Sequence, residues 1–179
     1  MTGMRRLAIL PLVFPFLNAD VSNCACDPSN PTTMTPVACS LCREAEKHTG
    51  EMFFLKDANP RKPNRTLLLP RTHLPAGHPL HELPKEFQAR FLKAAMAKGR
   101  KLWGDGWGLA YNHEKVRTQC HGHIHIGKLL PGLAPGKYYD VSSPGDIRLP
   151  DKGGIWIHPA GGKLRVHYGE EITETVLLR

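Results

Sequence analysis

Two hydrophobic rhythms run through the chain. Along 84–104, "PKEFQARFLKAAMAKGRKLWG", Phe87, Phe91, Ala95 and Leu102 recur at helical spacing, with Lys and Arg between them. This is the stripe of an amphipathic helix. Pro84 suits its opening, where no intrahelical amide bond is required. Elsewhere the apolar runs are short. "GEMFFLKD" (50–57) and "RTLLLPR" (65–71) flank the turn "NPRKPN" and predict a hairpin. "GWGLAYN" (106–112) and "TQCHGHIHIGKLL" (118–130) predict two further strands around the loop "HEKVR". Near the end, "GIWIHPAGGKLRVHYGE" carries two alternating runs about "PAGG", a C-terminal β-hairpin. "SLCREAEK" predicts a short helix and "HLPAGHPLHEL" a loop. There is no internal repeat. The sum is α+β: a mainly antiparallel sheet with one long helix on a face.

The ends of the chain add organisation. Arg5 and Arg6 precede the apolar run "LAILPLVFPFL" (7–17), and "NAD" follows, so 1–19 reads as an export signal cut near Ala19. That run is shorter than the ~20 residues of a spanning helix. The alternative reading is a buried N-terminal strand in a cytoplasmic protein. Residues 20–36, "DVSNCACDPSNPTTMTP", read as a linker. A total of 179 residues suits one domain with a real core.

The formal charge of +8 favours anionic partners such as nucleotides or phosphorylated lipids. Basic residues occur singly or in pairs, which argues against a dedicated nucleic-acid role. The five cysteines are Cys24, Cys26, Cys39, Cys42 and Cys120. In an exported chain they would form disulfides and leave one over. "CSLC" at 39–42 is equally a metal knuckle, and the sequence leaves both open.

"HGHIHIG" places His121, His123 and His125 on alternate residues. On a strand all three would face one way, about 6.7 Å apart, with Ile124 and Ile126 on the buried side. A solvated face and an all-histidine metal site are two readings. Nucleophilic catalysis at phosphorus is a third, in which a neutral imidazole attacks while a neighbour handles the proton.

"HGHIHIG" resembles the signature of the histidine triad superfamily. "RTLLLPRTHL" resembles that family's strand ending in a proline-basic-x-histidine turn, and "GLAYN" its strand ending in asparagine. The resemblance covers about 37–131. Its motifs "FFLKDANP", "LLLP" and "HIHI" are similar to those of the bacterial CDP-diacylglycerol pyrophosphatases. It implies a HIT-like catalytic domain over 37–136 with a C-terminal β extension at 137–179. It further implies a hydrolase that cleaves a nucleotide conjugate through a nucleotidyl-histidine intermediate and releases a nucleoside monophosphate. His123 would be the nucleophile, and His125 would contact the phosphate and help the leaving group. Asn112 and Thr118 would bind or orient there, and Arg117 and Gln119 would bind substrate.

Zinc-bearing relatives, including galactose-1-phosphate uridylyltransferases, place their metal ligands at positions corresponding to Cys39, Cys42, His73 and His121. Such a closed site would be structural, with no organic cofactor. The resemblance also implies a nucleotide or nucleotide-lipid substrate, membrane-surface association and a homodimer. The rival readings are a generic hydrolase or nucleotidyltransferase of the superfamily, and a non-catalytic zinc- or ligand-binding secreted module. His48, His78, His81, His113, His158 and His167 read as surface residues, with His113 close enough to Asn112 to line a pocket. Trp103, Trp107 and Trp156 read as core.

Overall fold

The computed structural model describes residues 20–74, 78–134 and 136–179. The expected export signal at 1–19 lies outside the described residues. Seven strands form one antiparallel sheet among those residues: β1 (Met52–Lys56), β2 (Thr66–Pro70), β3 (Trp107–Tyr111), β4 (Ile124–Lys128), β5 (Lys137–Val141), β6 (Gly154–Ala160) and β7 (Lys163–Glu170). Their spatial order is β1-β2-β4-β3-β6-β7-β5. A short helix α1 (Ser40–Ala45) precedes the sheet, and the long helix α2 (Lys85–Trp103) follows β2. The fold class is therefore α+β, with one long helix on an antiparallel sheet.

The helical stripe meets the sheet as its spacing requires. Phe87, Phe91 and Ala95 are buried together with Leu92, Met96 and Gly99. They pack on Leu68, Leu109, Ile124, Ile126 and Ile157. Full burial of a side chain such as Phe91 or Leu92 stabilises by about 1.5–3 kcal/mol. Leu102 does not join them and is 46% exposed. In the last turn of α2 Trp103 still packs on the core, while Leu102 lies beside Phe54 in a surface hollow.

Both predicted hairpins are present, β1–β2 and β6–β7. Gly161 and Gly162 close the second with φ of +57° and +80°, values that suit glycine in a two-residue hairpin turn. β6 also pairs with β3, so the C-terminal hairpin continues the central sheet. The edge strand β5, mostly exposed, carries no strong alternation and was not foreseen.

Two expectations are corrected. The strand expected over 118–130 begins only at Ile124. Upstream of it, the Cys120 amide donates to the Ala38 carbonyl at 2.8 Å, and Cys120 is disulfide-bonded to Cys24. These ties hold 117–123 against the N-terminal segment instead of in the ladder. Among the three histidines only His125 has sheet partners, Leu67 and Ala110.

The expected linker, 20–36, is folded. It contains a 3-10 turn at Pro31–Met34, donates Val21 N–H to the Glu114 carbonyl, and is closed by a Cys26–Cys39 disulfide. Arg43 of α1 donates to the carbonyls of Met34, Thr35 and Pro36. Polar composition concealed a segment that is cross-linked and buries Val21 and Met34 against the cysteines.

Candidate functional site

Where the ladder ends, the histidines part company. His121 turns away from His123 and His125 into a cluster with Cys42 of α1 and with His73 and His78 of the loop after β2. The four side chains offer ligand atoms that all lie within 4.8 Å of one another. Cys42 and His121 are fully buried, and His78 is nearly so. The structure thus positions one cysteine and three histidines to hold a metal ion.

Surrounding hydrogen bonds bear on the fit. His121 donates Nε2–H to the Pro70 carbonyl at 2.7 Å, and His73 Nε2 lies 2.9 Å from Glu46 Oε1. In both rings Nδ1 is buried without a hydrogen-bond partner, which leaves its lone pair for a cation. His78 is bonded the other way round. Its Nδ1 accepts from the Leu74 amide at 2.8 Å, and its Nε2 lies 3.7 Å from Cys42 Sγ. To ligate through Nε2 the ring proton must move to Nδ1, which gives up the Leu74 contact.

Burial pushes the Cys42 thiol up to about 12, His78 down to about 4 and His121 down to about 3. Cys42, His78 and His121 are therefore neutral at pH 7 with no cation bound, and a divalent cation would invert that preference by drawing off the thiol proton.

This cluster corrects one expected ligand. Cys39 is bonded to Cys26, with a Cα–Cα distance of 5.9 Å, and His78 takes the fourth place. Cys42, Cys39's partner in the C-x-x-C pair, is the one free cysteine among the described residues. Cys42, His73 and His121 stand where they were expected.

His123 and His125 face a second region, a pocket of about 270 Å³. Asn112, Arg117, Thr118 and Gln119 line the same pocket, so all six expected catalytic and substrate-binding residues are brought together. His123 donates Nδ1–H to the His121 carbonyl at 2.8 Å. That bond settles the tautomer and leaves Nε2 as the basic nitrogen. Burial holds His123 down at about 4, with the bond to the His121 carbonyl opposing it, and His125 well below the ordinary imidazole value. Both rings are neutral at pH 7, the form a nucleophile needs. Their centroids are 4.7 Å apart, edge to face.

Asn112 is buried, and its Oδ1 accepts from the amides of Thr173 and Glu174 at 2.8 and 3.0 Å. Its NH₂ remains the group for the pocket. Gln119 Oε1 accepts from Ser40 Oγ at 2.6 Å, and Thr118 is exposed at the rim. A larger open hollow, about 630 Å³, lies between α2 and the β6–β7 turn and is lined by Lys93, Met96, Arg100 and Lys163 instead.

Several residues were missed. His78 was read as a surface residue but is a member of the metal cluster; its spacing of five from His73 follows neither strand nor helix periodicity. His113 and His167 are also buried. Asp57, Lys62 and Glu174 join the pocket wall. Asp57 directly follows a strand end, the place where pocket residues gather, which was the one available signal. Glu174 arrives from the far end of the chain and left none. No protein-family model matches the chain, and no curated protein does.

Proposed function

We propose that the chain is a hydrolase of the histidine triad type that cleaves a nucleotide conjugate and releases a nucleoside monophosphate. The observation that carries this reading is the His123 Nδ1 bond to the His121 carbonyl, with His125 alongside in a pocket lined by Asn112, Arg117 and Lys62. In this reading the His123 Nε2 lone pair attacks the α-phosphorus. A P–N bond forms, the P–O bond to the leaving group breaks, and that oxygen takes a proton from His125. Water then attacks the phosphorus, gives its proton back to His125, and frees the monophosphate from His123. Arg117 and Lys62 offset phosphate charge, and the Asn112 amide donates to a phosphate oxygen.

The motifs favour CDP-diacylglycerol as the first substrate to try. Zinc suits the sulfur and nitrogen donor set of Cys42, His73, His78 and His121 and, when bound, would tie α1, the loop after β2 and the approach to β4 together. Cys39 has no part in that set. The disulfides Cys24–Cys120 and Cys26–Cys39 favour an oxidising compartment, in line with the export reading of 1–19. No helix of the described residues is long and apolar enough to cross a membrane.

The metal cluster favours a second reading, a secreted metal-binding module without turnover. One experiment separates the two. Wild type and His123→Ala are incubated with CDP-diacylglycerol, dinucleoside polyphosphates and nucleoside phosphoramidates, and monophosphate release is followed. The hydrolase reading expects release by wild type from at least one substrate, and a loss of at least about a thousandfold in the variant. Silence of folded, metal-loaded wild type across the panel, or equal rates in the variant, would overturn it.

A further inference from the structure

The last nine residues, 171–179, form a strap across the rim of the pocket. His113 N–H donates to the Glu171 carbonyl, and Asn112 Oδ1 caps the amides of Thr173 and Glu174. Thr173 Oγ1 donates to the Tyr111 carbonyl at 2.8 Å. The buried Arg65 guanidinium donates to the carbonyls of Glu174, Leu177 and Leu178 at 2.8, 2.7 and 3.1 Å. Leu178 N–H then joins the Lys128 carbonyl at the end of β4. This fixing delivers one carboxylate to the triad. Glu174 Oε2 lies 2.6 Å from Arg65 Nη1, 2.5 Å from Lys62 Nζ and 3.5 Å from His125 Nδ1. His125 Nδ1 is buried and has no hydrogen-bond partner. An orphaned ring nitrogen aimed at a carboxylate less than 1 Å beyond bonding range is an arrangement that a small side-chain movement completes.

We propose that Glu174 is the positioning residue of His125: its carboxylate accepts a hydrogen bond from Nδ1–H and thereby turns Nε2 toward the substrate. The inference rests on the hydrolase reading above and gives the C-terminal strap a task within it. The groups facing His125 are Asp57, Lys62, Arg65, Arg117, His123 and Glu174. Three are cations, and they oppose protonation of the ring. Asp57 Oδ2 stands farther off, at 4.0 Å. When the leaving oxygen needs a proton, His125 must hold two, one on each nitrogen. The Nδ1–H then bonds to Glu174, and the Nε2–H, drawn from solvent, passes to the leaving group. In the second half-reaction Nε2 recovers a proton from the attacking water, and the cycle closes. Without the Glu174 charge, only the more distant Asp57 offsets Lys62 and Arg65 beside the ring.

The test uses the full chain with Glu174→Gln, which keeps an oxygen for Arg65, and Glu174→Asp, which keeps the charge at shorter reach. Glu174→Gln is expected to fold and to lower kcat by about ten- to a hundredfold, with KM changed by only a few-fold. Its high-pH limb should move to lower pH, because an acid with less stabilised charge loses its proton sooner. Glu174→Asp should recover part of both. Nitrogen-15 spectra of the imidazoles give a readout independent of turnover, with the His125 signals identified by their loss in His125→Gln. They should show His125 protonated on Nδ1 in wild type and a mixture of tautomers in Glu174→Gln. A folded Glu174→Gln with unchanged kcat, pH limb and tautomer overturns the inference. Inactive wild type with the expected tautomer shift would instead sink the hydrolase reading and leave the Glu174–His125 contact standing.

Discussion

Gly122 separates two histidines that face different regions, His121 in the metal cluster and His123 in the pocket. A Cβ built there would meet the His78 carbonyl oxygen at 2.2 Å and Leu80 Cδ2 at 2.9 Å. The first neighbour is backbone and cannot step aside cheaply. Gly122→Ala should therefore cost about 1–3 kcal/mol or more and weaken metal affinity, since the displaced residue is a cluster member. Gly106→Ala, where the nearest atom is Lys128 Cε at 3.9 Å, is the control and should stay within about 0.5 kcal/mol. Urea midpoints and metal titration of both variants decide the matter.

Acid tests the same two regions. His123 is pushed down to about 4 and His125 well below 6.5, each chiefly by burial, and His78 and His121 shift the same way. A histidine whose folded pKa lies under its unfolded value binds protons more readily when unfolded. Its contribution is complete above about 6.5 and is lost as pH falls from there toward 4. With metal chelated, the urea midpoint should fall steadily from pH 7 to 4.5, and less steeply in His123→Gln. A flat wild-type profile would contradict the neutral, buried state of these rings.

At the scale of elements, Arg65 is the joint between the first hairpin and the C-terminal strap. It is 2% exposed and serves three carbonyls and one carboxylate. Replacing it with Met would keep the aliphatic stem but strand those acceptors beside Lys62. The expected cost is about 3 kcal/mol in denaturant unfolding. The strap should become the first segment cut in limited proteolysis. A variant that unfolds like wild type would show that water replaces the guanidinium without loss. Elements of this fold were legible where periodicity governs them. The α2 stripe, the β1–β2 hairpin and the "PAGG" turn each follow from neighbouring residues alone.

The same logic failed at 117–123. There the alternation of three histidines is real, yet disulfide and metal-cluster geometry, not strand pairing, directs the side chains. It failed also for Cys39, because C-x-x-C spacing cannot reveal that Cys26 lies nearer than the metal ligands. The pocket residues from Asn112 to His125 were legible through the resemblance, whose motifs lie close together in sequence. Glu174, Lys62 and His78 were not, since only tertiary packing brings them there.

Across the whole molecule, two clips hold one stretch of chain at adjacent points. Cys120 is bonded to Cys24, and His121, the next residue, belongs to the metal cluster with Cys42, His73 and His78. The Cys24–Cys120 link spans a sequence separation of 96, and in the chain-entropy account a loop near that length stabilises by about 4–5 kcal/mol. A bound metal would close loops of similar span from Cys42 to His121. Either clip alone is expected to keep 117–123 against the N-terminal segment, so their losses should not simply add. Reduction by a dithiol with metal present should lower the unfolding midpoint yet spare the pocket, and chelation with the disulfides intact should do likewise. Reduction and chelation together should cost more than the two effects summed and should release Arg117, Thr118 and Gln119 from the pocket wall. Thermal unfolding under the four conditions, with hydrogen exchange at 117–123, measures that excess. If the losses simply add, the clips hold separate parts of the structure, and the adjacency of Cys120 and His121 has no mechanical consequence.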